Sequence, residues 1–376
     1  MSHIHSALKE AANRKPLAID GLYLTHGEES FGNPPWADAS ARFLVARLSP
    51  FRDVERSSPH AFLYRELRDA MPDAYIDFSF FPQGRDRTTL SELGVPFLHG
   101  VASARGGSDF DVVLISNAYT LELVNLPTLL VNSGFALSRK ERARHCQPLI
   151  VLGGSNAFAS AALHEDPRGG KGDSFVDAVY FGEGEGSVGR LGAALAAIHV
   201  GTERDRECAL EKIADDFNGF WPTHAIRAIT QGRATGPAFP ESPPPVLSGE
   251  EAGTVRLEIT FGCPGFCSFC FEGWERKPYR ERSFDDIMAE ARRLKRWTGA
   301  DTVEVASYNF NAHERVVDLI CELNTVFNRV NFMSQRADIL ADTPGLIPME
   351  IAAEKRSFTI GVEGISRRAR AYFNKE

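Results

Sequence analysis

Positive charge is in short supply: 42 lysines and arginines stand against 50 aspartates and glutamates, for a net charge of -8. A surface built to grip a phosphate backbone presents a basic stripe, so this balance gives no electrostatic case for nucleic acid, and only a local basic patch stays open. Long hydrophobic runs are missing too. No uninterrupted apolar stretch approaches the roughly 18 residues of a membrane span. The N-terminal run MSHIHSALKEAANRKP has no apolar core of the signal-peptide kind and reads as a short polar helix. A cytoplasmic location is therefore the default expectation. Cysteine is scarce, with 6 in 376 residues, and three of them crowd into the run Cys263–Cys270. A disulfide framework would spread its cysteines and suit a small secreted domain. Crowded cysteines in a reducing compartment read instead as metal ligands. Cys146, Cys208 and Cys321 are scattered and are expected to behave as small buried hydrophobes. The remainder is ordinary for a globular protein: 43% hydrophobic and 24% charged residues, in a chain long enough for two or three domains.

Along the first half, strand-like and helix-like segments alternate. A helical stretch over Pro59–Met71 precedes the aromatic and β-branched run Tyr75–Phe81, and Phe110–Ser116 is near-continuously apolar, as in a strand buried on both faces. An amphipathic helix is expected over Leu121–Asn132, stopped by Gly134. Two more strands, Pro148–Leu152 and Val176–Phe181, end at Gly153-Gly154 and at Gly182, and an alanine-rich helix follows over Ser187–His199. This order predicts a doubly wound parallel sheet. His164–Ser174 (HEDPRGGKGDS) reads as an exposed, mobile loop. The proline-rich stretch 231–253 reads as a semi-rigid linker, dividing an N-terminal domain over 1–230 from a C-terminal one over 254–376. The α/β pattern then restarts with a strand over Val255–Phe261. A helix follows over Ser283–Thr298, with Ser283 at its N-cap and Asp286 three residues on. A strand over Thr302–Ala306, a helix over Glu314–Phe327, strands over Arg329–Ser334 and Ser357–Val362, and a helix starting at Ser366 complete the pattern.

Cys263, Cys267 and Cys270 form a CxxxCxxC run directly after the first strand of the C-terminal half. Fe–S cubanes are normally held by four cysteines. Three thiolates leave one iron open to an external ligand, and such an iron can chelate the amino and carboxylate groups of S-adenosylmethionine. Structural zinc is the alternative. It draws four ligands, usually in pairs, and here the next cysteine, Cys321, lies far along the chain while His313 has no histidine partner. Gly262, Pro264 and Gly265 let the loop wrap a cluster closely. Phe266 and Phe269 either shield it from water or pack as ordinary aromatics.

The run LEITFGCPGFCSFCFEG resembles the cluster motif of the radical S-adenosylmethionine (SAM) superfamily, CxxxCx(aromatic)C, with Phe269 as the aromatic. The run KPYRERSFDDIMAEARRL is similar to members that carry an N-terminal cobalamin (B12)-binding-like domain, as are NAYTLELVN, LIVLGGSNAFAS and VDAVYFGEGEGSVGRL in the first half. The resemblance implies a Rossmann-like B12-type domain followed by a partial (β/α)6 barrel. It implies a [4Fe–4S] cluster on Cys263, Cys267 and Cys270, reductive cleavage of SAM to a 5′-deoxyadenosyl radical, and an electron donor such as flavodoxin or ferredoxin. The substrate, a small molecule or a peptide, is not legible. By the same resemblance Gly153, Gly154, Gly182 and Gly184 edge a cobalamin-type pocket; glycine-rich turns at strand ends also serve other nucleotide-like ligands, or simply turn. Methyl transfer or ring rearrangement is the chemistry that cobalamin would add.

The sequence also departs from the family pattern. Where a Gly-Gly-Glu run usually ends the second strand, this chain has Val305-Ala306-Ser307-Tyr308-Asn309. Ser307 and Asn309 either take over the contact to the methionine amino group or belong to a plain loop. Arg336 is a candidate for the methionine carboxylate, with an ion pair to Asp338 as the alternative. Glu363, in Ile360-Gly361-Val362-Glu363, resembles the acidic position that contacts the ribose. None of the 10 histidines has an aspartate two positions before it, which excludes cobalt ligation through Asp-x-His-x-x-Gly but not base-off binding. The barrel is expected to stop after about four strands. The chain then reads as a fragment, as one completed by another chain, or as a degenerate iron–sulfur protein with an electron-transfer, regulatory or partner-binding role.

Overall fold

The computed structural model describes residues 3–14, 22, 25–165, 172–198, 202–234, 239–248, 253–333, 335–355 and 357–375. The chain folds as two compact units, one of Met1–Gly236 with Pro240–Ser248, and a second of Pro237–Phe239 with Gly249–Glu376.

The first unit is built on six strands: β1 (Arg42–Arg47), β2 (Tyr75–Phe80), β3 (Val112–Ser116), β4 (Leu149–Gly153), β5 (Ala178–Tyr180) and β6 (Phe220–Pro222), in the order β2-β1-β3-β4-β5-β6. β1 to β5 run parallel and β6 joins β5 antiparallel. The apolar runs of β2 and β3 are buried along their whole length, as helices on both faces of a parallel sheet require. The doubly wound architecture is thus present. The sequence did not announce two of its strands. β1 is central, with Val45 registered between Phe78 and Leu114, yet its apolar core is only four residues between two arginines. β6 ends in Pro222, which an edge strand tolerates because one side of its ladder is unused. The chain leaves β1 for β2 on one side and returns to β3 on the other, so the C-terminal ends of β1 and β3 border the crevice where such sheets bind ligands.

Several local expectations change. Leu121–Asn132 is not one helix: a 3-10 turn over Thr120–Val124 leads into an α-helix over Asn125–Val131. Pro127 explains this, since a residue without an N–H fits only the first turn of an α-helix. The N-terminal helix, His3–Arg14, is amphipathic rather than merely polar, with Leu8 and Ala11 buried. Its apolar positions stand three apart and so share a face. The ends of the expected mobile loop are pinned, because His164 and Ser174 form an antiparallel bridge and are both buried; 166–171 lie outside the described residues. Cys146 and Cys208 are exposed, not buried. Cys146 sits on the turn after the helix Arg139–Arg144 with φ at 54°, and Cys208 lies on the outer face of Glu203–Asp216, which buries Arg206, Leu210, Ile213 and Ala214 instead. Cys321 is half-buried against Met349.

Polar groups fasten the periphery of this unit. Asp177, just before β5, receives Arg142 Nη2 at 3.2 Å and the Ile150 N–H at 2.9 Å, with Arg206 Nη1 at 3.6 Å. One buried carboxylate so ties two helices to the β4–β5 edge. Part of the proline-rich stretch is tied down as well. Arg65 donates to the carbonyls of Pro240 and Ser242, Asp69 accepts from the N–H groups of Glu241 and Ser242, and Leu247 is buried.

The second unit contains β7 (Thr254–Glu258), β8 (Thr260–Phe261), β9 (Arg280–Glu281), β10 (Thr302–Ala306) and β11 (Arg329–Phe332). β7, β10 and β11 form a parallel sheet in the order β11-β10-β7. The helices Phe284–Thr298 and Val316–Val326 cover it with Ile287, Leu294, Leu319 and Leu323, packed with Leu257 and Val303. Ser283 caps the first of these by accepting the Asp286 N–H at 3.1 Å, and Gly299 ends it in the left-handed region. The expected fourth strand, Ser357–Val362, does not form a ladder. It touches β11's continuation through one bridge, Gln335 to Ile360, while Phe358 and Val362 remain exposed. Only Ile360 packs on the core, and a segment with one anchored side chain does not hold strand register. Ser334 lies outside the described residues. No helix among the described residues is long and apolar enough to cross a membrane.

Candidate functional site

The site starts where β7 ends. Ile259 still donates its N–H to Ala306 at 3.1 Å, and then β8 turns to pair antiparallel with β9, Thr260 opposite Glu281. Residues 262–279 are therefore a loop closed at its base by a short ribbon, at the C-terminal end of a parallel strand, where α/β folds place their chemistry. Gly262 makes the entry turn with φ at 70°, and a Cβ there would stand 2.2 Å from the Arg276 carbonyl oxygen. Gly262→Ala is expected to force the loop open: iron taken up on anaerobic reconstitution should fall well below wild type while the far-UV circular dichroism is retained. Wild-type iron content in that variant would sink the expectation.

All three cysteines border this loop. Cys263 Sγ accepts from the Gly265 N–H at 3.4 Å and from Asn309 Nδ2 at 3.8 Å. Cys270 precedes the short helix Phe271–Glu275, and its sulfur accepts the Gly273 N–H at 3.3 Å. The sulfurs of Cys263 and Cys267 lie 3.5 and 3.8 Å from the point where a Cβ on Gly265 would stand, and Arg336 Nη1 lies 3.4 Å from the same point. Two thiols and a guanidinium thus border one small space beside Gly265. Among the described residues, no three side chains of His, Cys, Asp or Glu are gathered so as to hold a single metal ion. Thiolates that take separate irons of a cubane stand farther apart than ligands of one ion, and the sulfur-rich, N–H-donating surroundings suit such a cluster.

The loop is held by groups to which the sequence alone assigned no role. The Lys277 ammonium donates to the carbonyls of Cys263 and Gly265 and lies 3.9 Å from the Phe266 ring centroid. Trp274 Nε1 donates to the Cys267 carbonyl at 2.9 Å and meets Phe266 edge-on. From the end of the chain, Asn374 Nδ2 donates to the Phe266 carbonyl, the Ser268 N–H donates to the Phe373 carbonyl, and Phe373 packs edge-on against Phe269. Phe266 and Phe269 are half-exposed, so each forms one wall of the loop rather than a lid. Tyr279 donates to Glu281 at 2.8 Å, and burial together with that bond pushes its phenol well above the usual range.

The other sequence candidates divide. Asn309 is buried and faces Cys263. Ser307 Oγ instead meets Thr260 Oγ1 at 2.6 Å and receives the Asn309 N–H at 3.1 Å. Arg336 forms the ion pair weighed as its alternative, with Nε and Nη2 on Asp338 at 2.9 and 2.6 Å, and still keeps Nη1 toward the cysteines. The bonds to Asp338 hold its guanidinium pKa above the ordinary value, and the sulfurs of Cys267 and Cys263 add to this. Asn311, which no motif flagged, pairs with the Arg336 main chain in both directions, at 2.9 and 3.1 Å. Glu363 is not gathered with the cysteines. It is exposed, has φ at 61°, and pairs with Lys375 at 3.1 Å, whose ammonium is 6.0 Å from the Phe269 ring.

In the first unit the glycine-rich turns meet the protein's own backbone. A Cβ on Gly154 would stand 2.2 Å from the Asn117 carbonyl oxygen, and one on Gly182 2.2 Å from that of Gly232. Both have φ above 100°, so chain geometry by itself already requires glycine there. Gly184 is crowded by Val188 at 2.6 Å, and Gly153 has only ordinary contacts with Tyr180. The strand ends carry apolar side chains in the open: Tyr119, Leu121 and Val124 after β3, and Phe158 after β4, are 66%, 81%, 70% and 47% exposed.

Comparison with known proteins agrees with this layout. Residues 60–221 match the family model for radical SAM proteins, N-terminal, and residues 257–376 match the model for the radical SAM superfamily. No significant match is found among curated protein sequences. Among solved structures, the chain is similar to the radical S-adenosylmethionine methyltransferase TsrM from Kitasatospora setae. Against that protein with tryptophan substrate and a SAM analogue bound, identity is 14% and the TM-score 0.54, covering 89% of this chain and 61% of the other. Against the form with cobalamin and a [4Fe-4S] cluster bound, the values are 13%, 0.52, 89% and 63%. The chain thus spans under two thirds of the length of the methyltransferase, and the likeness is one of fold. With one family model on each unit and the cysteine run inside the second, the chain belongs to the radical SAM superfamily.

Proposed function

We propose that Cys263, Cys267 and Cys270 hold a [4Fe–4S] cluster with one iron open to S-adenosylmethionine, and that the protein is a radical enzyme. The observation that carries this reading is the space beside Gly265 that the sulfurs of Cys263 and Cys267 and Arg336 Nη1 border together. When bound, the cluster supplies the electron that cleaves the sulfonium of S-adenosylmethionine to methionine and a 5′-deoxyadenosyl radical. The chain's own part is to bind and shield. Arg336 offers its Nη1 group to an anionic ligand, because Asp338 occupies the Nε–Nη2 edge of its guanidinium; this suits a contact to the methionine carboxylate. Asp338 and Asn311 hold that arginine from the side chain and from the main chain. Phe266, Phe269 and Trp274 narrow the access of water to the loop. Glu363 pairs with Lys375 through Oε1, which leaves its second oxygen to accept from a ribose hydroxyl.

The test is anaerobic reconstitution, iron and sulfide analysis, and then reduction in the presence of S-adenosylmethionine by flavodoxin, ferredoxin or a chemical donor. The expected product is 5′-deoxyadenosine. Protein with a full cluster and no 5′-deoxyadenosine would overturn the enzymatic reading in favour of an electron-transfer or regulatory role.

Cobalamin is a second reading, favoured by the exposed apolar rim of Tyr119, Leu121, Val124 and Phe158 at the strand ends. A large corrin face suits such a rim, and cobalamin held there without a histidine ligand would add methyl-transfer chemistry. Protein that shows no corrin absorbance, and no cobalt, after incubation with hydroxocobalamin and desalting would exclude it.

A further inference from the structure

We infer that Asn309 is a positioning residue that sets the reduction potential of the metal centre, rather than a contact for S-adenosylmethionine; the inference rests on the proposal that the three cysteines hold a [4Fe–4S] cluster. Asn309 follows β10 and is 6% exposed, so its amide is fixed in a protein environment rather than in water. Nδ2 points at Cys263 Sγ at 3.8 Å. The residue is held from behind, because its own N–H donates to Ser307 Oγ and Ser307 is locked to Thr260. The three sulfurs are treated unequally. Cys263 receives the Asn309 amide and the Gly265 N–H, Cys270 receives the Gly273 N–H, and no hydrogen bond to the Cys267 sulfur is formed among the described residues.

The physical consequence follows from charge. Reduction brings one electron from an external donor onto the cluster, whose charge becomes one unit more negative, with no bond made or broken. Part of that charge resides on sulfur, so an N–H dipole aimed at a cysteine sulfur favours the reduced state and raises the potential. In a buried setting of low dielectric the effect of each donor is larger than in water. Asn309 is the one side-chain donor of the three; the other two are main-chain groups that substitution does not remove.

Full-length protein is reconstituted anaerobically as wild type, Asn309→Ala and Asn309→Asp. Each is assayed for iron and sulfide, titrated with dithionite against redox mediators, and read by electron paramagnetic resonance. Both variants should keep wild-type iron and bind S-adenosylmethionine with unchanged affinity. The midpoint should become more negative in Asn309→Ala, and more so in Asn309→Asp, which replaces the donor by a charged acceptor of the same size. The isosteric aspartate keeps the packing should alanine loosen the loop. A midpoint equal to wild type in variants with full iron would overturn the inference, as would a loss of S-adenosylmethionine affinity without a change in midpoint. Wild-type protein that takes up no iron would overturn the cluster assignment itself, and this inference with it.

Discussion

Cys267→Ala is expected to reduce the iron retained after reconstitution from about four per chain, the content of one cubane, to near zero, and to abolish 5′-deoxyadenosine formation. Cys267 is the informative choice because its sulfur receives no hydrogen bond among the described residues. Its removal leaves no orphaned donor, so the loss reports ligation and not a collapsed loop. The loop's other ties, through Lys277 and Asn374, do not involve that side chain. Iron analysis and the visible absorbance of the reconstituted protein provide the measurement. A variant that retained full iron would show that Cys267 is not a ligand.

Asp177→Ala carries the largest expected cost in stability. The carboxylate is the shared anion of Arg142 and Arg206, both buried, and it also accepts the Ile150 N–H. Removing one partner of a buried ion pair leaves the other uncompensated in low dielectric, which costs about 3–5 kcal/mol. Here two cations lose their partner together. The unfolding midpoint of the first unit in urea, followed in the full chain by tryptophan fluorescence, should drop accordingly. Replacing Arg142 and Asp177 together by apolar residues of similar volume should cost less than Asp177→Ala alone. A loss below about 1 kcal/mol for Asp177→Ala would place the network with exposed surface pairs and contradict this account.

The sequence disclosed those features whose cause is local. The cysteine run carries its own meaning, since its spacing brings three thiols onto one loop, and Gly262 marks a turn that only glycine completes easily. The apolar runs that form β2 to β5 were equally visible. What stayed hidden depends on distant partners. Nothing near Asn309 in the sequence indicates Cys263, 46 residues away, as the target of its amide. Asn311 carries no motif, Lys277 only opens the run KPYRERS without a role of its own, and both hold main-chain atoms that any sequence provides. β1 escaped notice because Arg42 and Arg47 frame its apolar core, although Arg47 is itself buried and donates to Ser57. Ser357–Val362 misled in the opposite sense: its alternation is strand-like, but a pattern can only propose a strand that neighbours must then complete. At the turn glycines 154 and 182 the structure adds a requirement of the chain itself, which the sequence did not separate from a ligand-facing role.

The Lys277 clamp makes the shape of the cysteine loop depend on a side chain outside the cysteine run. Its ammonium joins two carbonyls on the cysteine side of the loop to the ring of Phe266. Fixing a residue's backbone costs about 1–2 kcal/mol in conformational entropy, and one cation that ties three neighbouring residues offsets part of that cost for each of them at once. The spacing of the sulfurs is thus governed as much from Lys277 as from the cysteines themselves.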